Sequence, residues 1–329
     1  MPHLDVVICT HNRSADLARV LGRLIAQEPV SSLSWSVLVV DNASSDGTAA
    51  VAKSHASELP LSYVHEPTLG LTHARQRGLA ETTGDWVAYV DDDNLLEPGW
   101  IAAIGRAIES KPSAGGFGGR VLLQWTVAPP LAASDFGFCF AEQDLGDDPR
   151  EVESMVGAGM VLSRKALHEC GWASGPMLDD RIGTRLISGG DVEMALRVRA
   201  AGYALHYVPT AVLQHRMPPS RATARYLLRI NQSLGATSAV VSLLRWAGDY
   251  SSWQDDAQES DRRRMKQATD GLWWSLRSRQ GLLAALAWLA FAVGQRQGIS
   301  EVRRMSSERR EALLGLAARG ADHDCSALT

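Results

Sequence analysis

Trp86-Val87-Ala88-Tyr89-Val90-Asp91-Asp92-Asp93-Asn94 decides how this chain is read, because an apolar run stops abruptly at three consecutive carboxylates. Five apolar residues bounded in this way have the length and composition of a buried strand. Crowded carboxylates repel one another and raise each other's pKa, so the cluster belongs at a surface or around a divalent cation. Taken alone, the triplet reads equally well as a solvated turn ahead of Pro98.

A second strand end of the same kind favours the cation site. Trp35-Ser36-Val37-Leu38-Val39-Val40 runs into Asp41-Asn42-Ala43-Ser44-Ser45-Asp46-Gly47-Thr48. In an open α/β sheet, ligands bind in the crevice outside the carboxyl ends of the strands, so both acidic ends are expected to face one pocket.

Outward from these two strands, strand-like and helix-like segments alternate. Leu4 to Cys9 is a strand, about Ser14 to Gln27 a helix with Leu17, Val20, Leu21, Leu24 and Ile25 at helical spacing, and about Ser45 to Ser57 a second helix. A short strand near Leu61 to Val64 and a helix across Leu71 to Glu81 complete a βαβαβαβ order. That order predicts an α/β fold with a mostly parallel sheet. Further on, Arg120 to Trp125 reads as a strand, Thr126 to Glu153 as a long loop, Val192 to Ala201 as a helix, and Tyr203 to Val208 as a strand ending at Pro209. Beyond His215 the pattern is almost wholly helical, over Arg225 to Trp246, Arg262 to Gln295 and Ser300 to Arg319.

A chain of 329 residues with 45% hydrophobic content buries a sizeable core. Cys9, Cys139, Cys170 and Cys325 show no paired metal-type spacing, and the N-terminus does not resemble a signal peptide, so a reducing cytoplasm is expected. Charge is segregated: Asp261 to Arg319 holds 12 Lys and Arg against 5 Asp and Glu, within a net charge of −4. The acidic remainder argues against nucleic acid as a partner.

Five ordered segments carry a family resemblance: VVICTHNR at Val6 to Arg13, VLVVDNASSDGT at Val37 to Thr48, GLTHARQRGL at Gly70 to Leu79, DWVAYVDDDN at Asp85 to Asn94, and GGDVEMALRVRAAGY at Gly189 to Tyr203. In order and spacing they resemble the family 2 glycosyltransferases, inverting enzymes with the GT-A fold, a Rossmann-like mixed sheet flanked by helices. The match spans roughly Leu4 to Arg216. The division expected from it is a catalytic domain over 1–218 and a helical C-terminal region over 219–329.

The resemblance implies a role for each matching position. Thr10 and Arg13 lie at the nucleotide end, Asp41 accepts hydrogen bonds from the base, and Arg75 helps to hold the nucleotide. Asp91 contacts the ribose, Asp92 is the variable middle of the DxD pattern, and Asp93 ligates Mn²⁺ or Mg²⁺ on the diphosphate of a nucleotide sugar, a UDP-sugar by preference. Asp191 is the base that takes the acceptor's proton. Because Gly190 stands where the family carries a glutamate, Glu193 is the substitute candidate. His215 is expected to approach the metal or diphosphate, and Gly157-Ala158-Gly159 to let backbone approach the sugar. The acceptor is any hydroxyl-bearing glycan, lipid-linked sugar or small molecule.

Leu282 to Val293 contains no polar residue, and Gly281 to Gly294 is only 14 residues long, short of the ~20 needed to span a bilayer. Flanked by Arg277, Arg279 and Arg296 and accompanied by Trp273, Trp274 and Trp288, it reads as a helix lying on an anionic inner membrane face, or as a core or homodimer helix. Ser242-Leu243-Leu244-Arg245-Trp246 departs from the QxxRW motif of processive synthases, which points to transfer of single sugars. Two rival readings are a sugar nucleotidyltransferase and a noncatalytic nucleotide-sugar-binding scaffold. The first needs a Gly-rich basic loop after the first strand, where this chain has Thr10-His11-Asn12-Arg13.

Overall fold

The computed structural model describes residues 1–178, 180, 189–278 and 281–324, which form two compact units. The first takes Met1–Gln124, the described residues from Ala141 to Asp180, and Gly190–Arg216. The second takes Trp125–Phe140, Gly189 and the described residues from Met217 onward.

The first unit opens with β1 (His3–Thr10), α1 (Ser14–Ile25), β2 (Ser34–Asn42), α2 (Thr48–Ser54), β3 (Leu61–Glu66), α3 (Leu71–Glu81) and β4 (Trp86–Asp91). β1 pairs in parallel with both β2 and β4, and β2 with β3. It continues through β5 (Asn94–Leu96), α4 (Trp100–Ser110), β6 (Gly116–Trp125), β7 (Arg150–Val152), β8 (Met160–Ser163), α5 (Arg164–Glu169), α6 (Gly190–Ala200) and β9 (Leu205–Met217). Strand order is β3-β2-β1-β4-β8-β6-β9-β5, with β7 also on β9. The later strands pair antiparallel, so the sheet is mixed.

Both faces of the sheet are covered, which explains the unbroken apolar run in β4. Trp86, Ala88 and Val90 point to the side packed by Leu17 and Leu21 of α1 and Trp100 and Ile104 of α4. Val87 and Tyr89 point to the side packed by Ala74 of α3, Leu167 of α5 and Met194 of α6.

Several expectations are corrected. The loop expected over Thr126 to Glu153 contains two short 3-10 pieces within Leu131–Phe140, separated by a kink at Phe136 (φ −126°), and β7. The triplet leads straight into a strand, β5, too short to show a period. β9 runs through Pro209, which sits between the stretch paired with β7 (205–207) and the stretch paired with β5 (213–215). α2 starts at Thr48 rather than Ser45, because Asp46 Oδ1 accepts from the Thr48 N–H at 3.0 Å.

The second unit holds α7 (Ala224–Leu244), α8 (Tyr250–Ser278), α9 (Leu282–Arg304) and α10 (Ser307–Asp324). The single helix expected over Arg262 to Gln295 is two: the chain breaks at Gly281, whose φ of +62° lies in the left-handed region that glycine tolerates. α8 and α9 then run back along each other, with Asp261 paired to Arg296 at 3.0 Å and Arg264 over the Phe291 ring at 5.1 Å. A Cβ on Gly294 would lie 1.8 Å from the Gln232 carbonyl oxygen, and one on Gly298 2.1 Å from that of Ala236. The small-residue face of α9 is therefore closed against the α7 backbone. By length and composition α9 is apolar enough to cross a membrane, yet it packs on both α7 and α8.

Candidate active site

The carboxyl ends of β1, β2 and β4 bring the acidic segments together because the three strands are adjacent and parallel. Asp41, at the end of β2, is buried, with Oδ1 accepting from the Ser44 N–H at 2.9 Å and Oδ2 from the Tyr63 hydroxyl at 2.8 Å. Burial and the neighbouring Asp41 push the Tyr63 phenol up to about 12, so it stays a donor at neutral pH. Each carboxylate oxygen has a second lone pair for a ligand N–H.

The triplet spans the junction of β4 and β5. Thr10 Oγ1 donates to Asp92 Oδ2 at 2.8 Å, and Arg13 Nη1 lies 2.8 Å from Asp92 Oδ1 and 2.9 Å from Asp93 Oδ2. Asp16 anchors the other edge of the same guanidinium at 2.9 Å. Burial opposes the Arg13 charge, but Asp92 and Asp93 outweigh it and raise its pKa. Burial pushes the Asp92 carboxyl up, against the pull of Arg13, with Asp93 adding to the push. The pairing of β5 with β9 sets Asn94 opposite His215, which carries the imidazole Nε2 to 3.2 Å from Asp93 Oδ1.

A second cluster surrounds Arg75 on α3. It is buried, and its Nη1 donates to Asp180 Oδ2 at 2.9 Å. Burial again opposes the charge, while Asp180, Asp91 and Asp191 hold it. Asp191, in the first turn of α6, accepts the Gly157 N–H on Oδ2 at 3.0 Å. A Cβ on Gly157 would stand 3.1 Å from Arg75 Nη2 and 3.2 Å from the Asp191 Cβ. Asp91, Arg75, Asp191 and Gly157 thus share one neighbourhood.

Glu193 is placed differently. It is fully buried; its two oxygens accept from the Met177 and Leu178 N–H groups at 2.7 Å each, and Arg197 pairs with it at 2.9 Å. Burial raises its pKa against those three partners. Its geometry is that of a clamp on the segment leading to Asp180, a residue that sequence reasoning missed. Thr72 Oγ1 accepts the Asp180 N–H at 2.9 Å, so α3 and α6 hold that segment from both ends. Asp180 also accounts for Gly190: a Cβ there would lie 3.0 Å from Asp180 Oδ2. The space beside the helix start is already taken by a carboxylate from the preceding loop.

Asp93 and His215 offer a hard oxygen and an imidazole nitrogen side by side. No group of three His, Cys, Asp or Glu converges among the described residues, so the donor set is a half-site. Mg²⁺-type ions are commonly held by one or two carboxylates together with substrate phosphates, and this pair fits that pattern.

A family model described as glycosyl transferase family 2 matches residues 5–171. Among curated relatives, the succinoglycan biosynthesis protein ExoM of Rhizobium meliloti is 24% identical over 241 residues, 71% of this chain and 74% of that protein. The glucosyl-dolichyl phosphate glucuronosyltransferase of Haloferax volcanii is 23% identical over 249 residues, 73% of this chain and 78% of that protein. Among solved structures, the mannosyltransferase PcManGT of Pyrobaculum calidifontis, in complex with GDP-Man and Mn²⁺, aligns with a TM-score of 0.54 at 16% identity, over 99% of this chain and 87% of that one. Residues 1–349 of S. aureus TarS, in complex with UDP-GlcNAc, align with a TM-score of 0.53 at 15% identity, over 98% and 89%. At these identities the structural likeness speaks for the fold.

Proposed function

The chain belongs to glycosyl transferase family 2 and is a glycosyltransferase of GT-A fold; from that premise we propose that it is a metal-dependent inverting enzyme moving one sugar from a nucleoside diphosphate to an acceptor hydroxyl. The observation that carries this reading is the convergence of Asp91, Arg75, Asp191 and Gly157, with Asp93 of the Asp93–His215 pair two residues beyond Asp91 in the chain.

Asp41 accepts a base N–H, and Asp91 a ribose hydroxyl. Thr10 and Arg13 hold Asp92 in place, and Arg75, kept ionised by Asp180, faces the negative end of the donor. Asp93 and His215 would hold Mn²⁺ or Mg²⁺, which when bound neutralises charge on the departing diphosphate. The Gly157 N–H orients the Asp191 carboxylate, which takes the acceptor's proton as its oxygen attacks C1. The C1–oxygen bond to the diphosphate breaks on the opposite face, so the configuration inverts. Asp191 is assigned as the base alone, because Glu193 is buried and occupied. Transfer of single sugars rests on Ser242 in place of the motif glutamine, and Trp246 is engaged with Ser252 Oγ at 3.0 Å. The UDP-sugar donor is supported by the TarS complex, and the metal by the PcManGT complex.

The test is a panel of nucleotide sugars assayed by thermal shift and turnover, with and without Mn²⁺, the product anomer being read by NMR. Donor stabilisation with turnover and inversion is expected. Binding without turnover would support the scaffold reading, and pyrophosphate release from a nucleoside triphosphate a nucleotidyltransferase.

A second reading concerns the second unit. Where α8 ends and α9 begins, Trp273, Trp274 and Leu276 are each about 60% exposed and Leu282 42%; Arg279 lies outside the described residues. Arg277 stacks over the Trp273 ring at 4.4 Å. Exposed aromatic and basic side chains at one hairpin tip support docking on an anionic cytoplasmic membrane face.

A further inference from the structure

On the α1–α4 side of the sheet, away from α6 and Asp191, a cavity of about 430 Å³ opens between α4 and the β7–β9 ribbon. Its volume is that of a small-molecule site. The floor is apolar: Ala107 of α4 and Val208 of β9 are half-buried there, over the buried Ala103 and Phe117. The rim is cationic, with Arg106 of α4, Lys111 just past its C-terminus and Arg150 of β7, against the single carboxylate of Glu151. That excess stands out locally, because residues outside 261–319 hold 21 Lys and Arg against 32 Asp and Glu. His206 closes one wall, its ring 6.1 Å from that of Phe117. It lies on the same strand as His215 and nine residues before it, about 30 Å away at ~3.3 Å per residue. The cavity is thus separate from the nucleotide-sugar site.

We propose that this cavity binds a small amphiphilic anion, its apolar body against Ala107 and Val208 and its phosphate or carboxylate head on Arg106, Lys111 and Arg150. The physical case is a division of labour. Guanidinium and ammonium groups make charge-assisted bonds to an anionic head. The Ala107 and Val208 surface gains by losing water to an alkyl or aryl body. Neither half uses the whole site: a bare anion leaves Ala107 and Val208 in contact with water, and a neutral hydrocarbon leaves the three exposed cations to solvent.

Calorimetric titration of the full chain with hexyl phosphate, with inorganic phosphate and hexanol as its two halves, tests the proposal. Saturating nucleoside diphosphate keeps the other phosphate-binding region occupied. One hexyl phosphate per chain is expected, bound at least tenfold more tightly than either half. The Arg106→Glu, Lys111→Glu double variant, altered only at exposed positions, should weaken it at least tenfold, as should Ala107→Trp by filling the slot. Nucleoside diphosphate binding should be unchanged in both. Should Ala107→Trp misfold by circular dichroism, the charge-reversed pair still decides. Hexyl phosphate binding no tighter than phosphate, or equally tight in the charge-reversed pair, overturns the proposal. A wild type that ignores nucleoside diphosphate yet binds hexyl phosphate would refute the glycosyltransferase donor reading and leave this one standing.

Discussion

The sheet edge of the first unit and the hairpin tip of the second break the same rule in opposite directions. At the sheet edge the chain buries charge: Asp41, Asp92, Asp93, Arg75 and Asp180 are each 5% exposed or less. At the hairpin tip it exposes Trp273 and Trp274 at 60% and 58%. Buried ions are costly unless paired, and clustered exposed aromatics are unusual on a monomer's surface. The first exception is tolerable only because the charges are paired, and the second leaves apolar rings in water. They differ in kind, since the buried charges are paired within the chain, whereas the two tryptophans stand largely in solvent.

The largest effect expected at the sheet edge is chemical. Asp191→Asn keeps the shape and the Gly157 contact but cannot take a proton, so transfer should fall by about two orders of magnitude or more. Donor binding, followed by calorimetry, should be unchanged. Near-normal turnover would remove Asp191 as the base. Next comes Asp93→Ala, which leaves His215 without its carboxylate partner at 3.2 Å and should abolish the Mn²⁺ dependence of nucleoside diphosphate binding. Unchanged dependence would sink the metal assignment.

How far each region was legible in the sequence follows from the range of its contacts. The βαβαβαβ half could be read because β4 is covered on both faces and each helix presents one stripe, both of which are local signals. The acids at the ends of β2 and β4 were legible for the same reason. Asp180 was not: its partner Arg75 is 105 residues away in the chain and no local pattern links them. Gly190 looked like a missing glutamate, and only the position of Asp180 turned that gap into a packing requirement. The break at Gly281 was hidden because the flanking residues favour helix, so composition outvoted one glycine.

That packing requirement gives a prediction of intermediate size. Gly190→Glu should destabilise the first unit by about 1–3 kcal/mol, the usual cost of forcing atoms into a filled site. Adding Asp180→Gly frees the space and returns a carboxylate to the neighbourhood of Arg75. Urea denaturation should show the double variant to be more stable than the sum of the two single changes. Additive losses would mean that the two positions do not compete for one volume.

The smallest expected effect tests the other side of the comparison. Binding to anionic vesicles draws on the aromatic tip for its apolar contribution and on the basic C-terminal segment for about 1 kcal/mol per Lys or Arg near the surface. Arg277 already lies over Trp273, so a ring and a charge reach the interface together. Sedimentation with vesicles rich in phosphatidylglycerol should bring down the wild type at low salt and much less of it at high salt. Trp273→Glu with Trp274→Glu should abolish the pelleting, and since both positions are exposed the helices should keep their thermal stability. Wild type that stays in the supernatant at low salt refutes membrane docking. Sedimentation velocity would then show whether a second copy covers the tip, as a concentration-dependent dimer that the double variant cannot form.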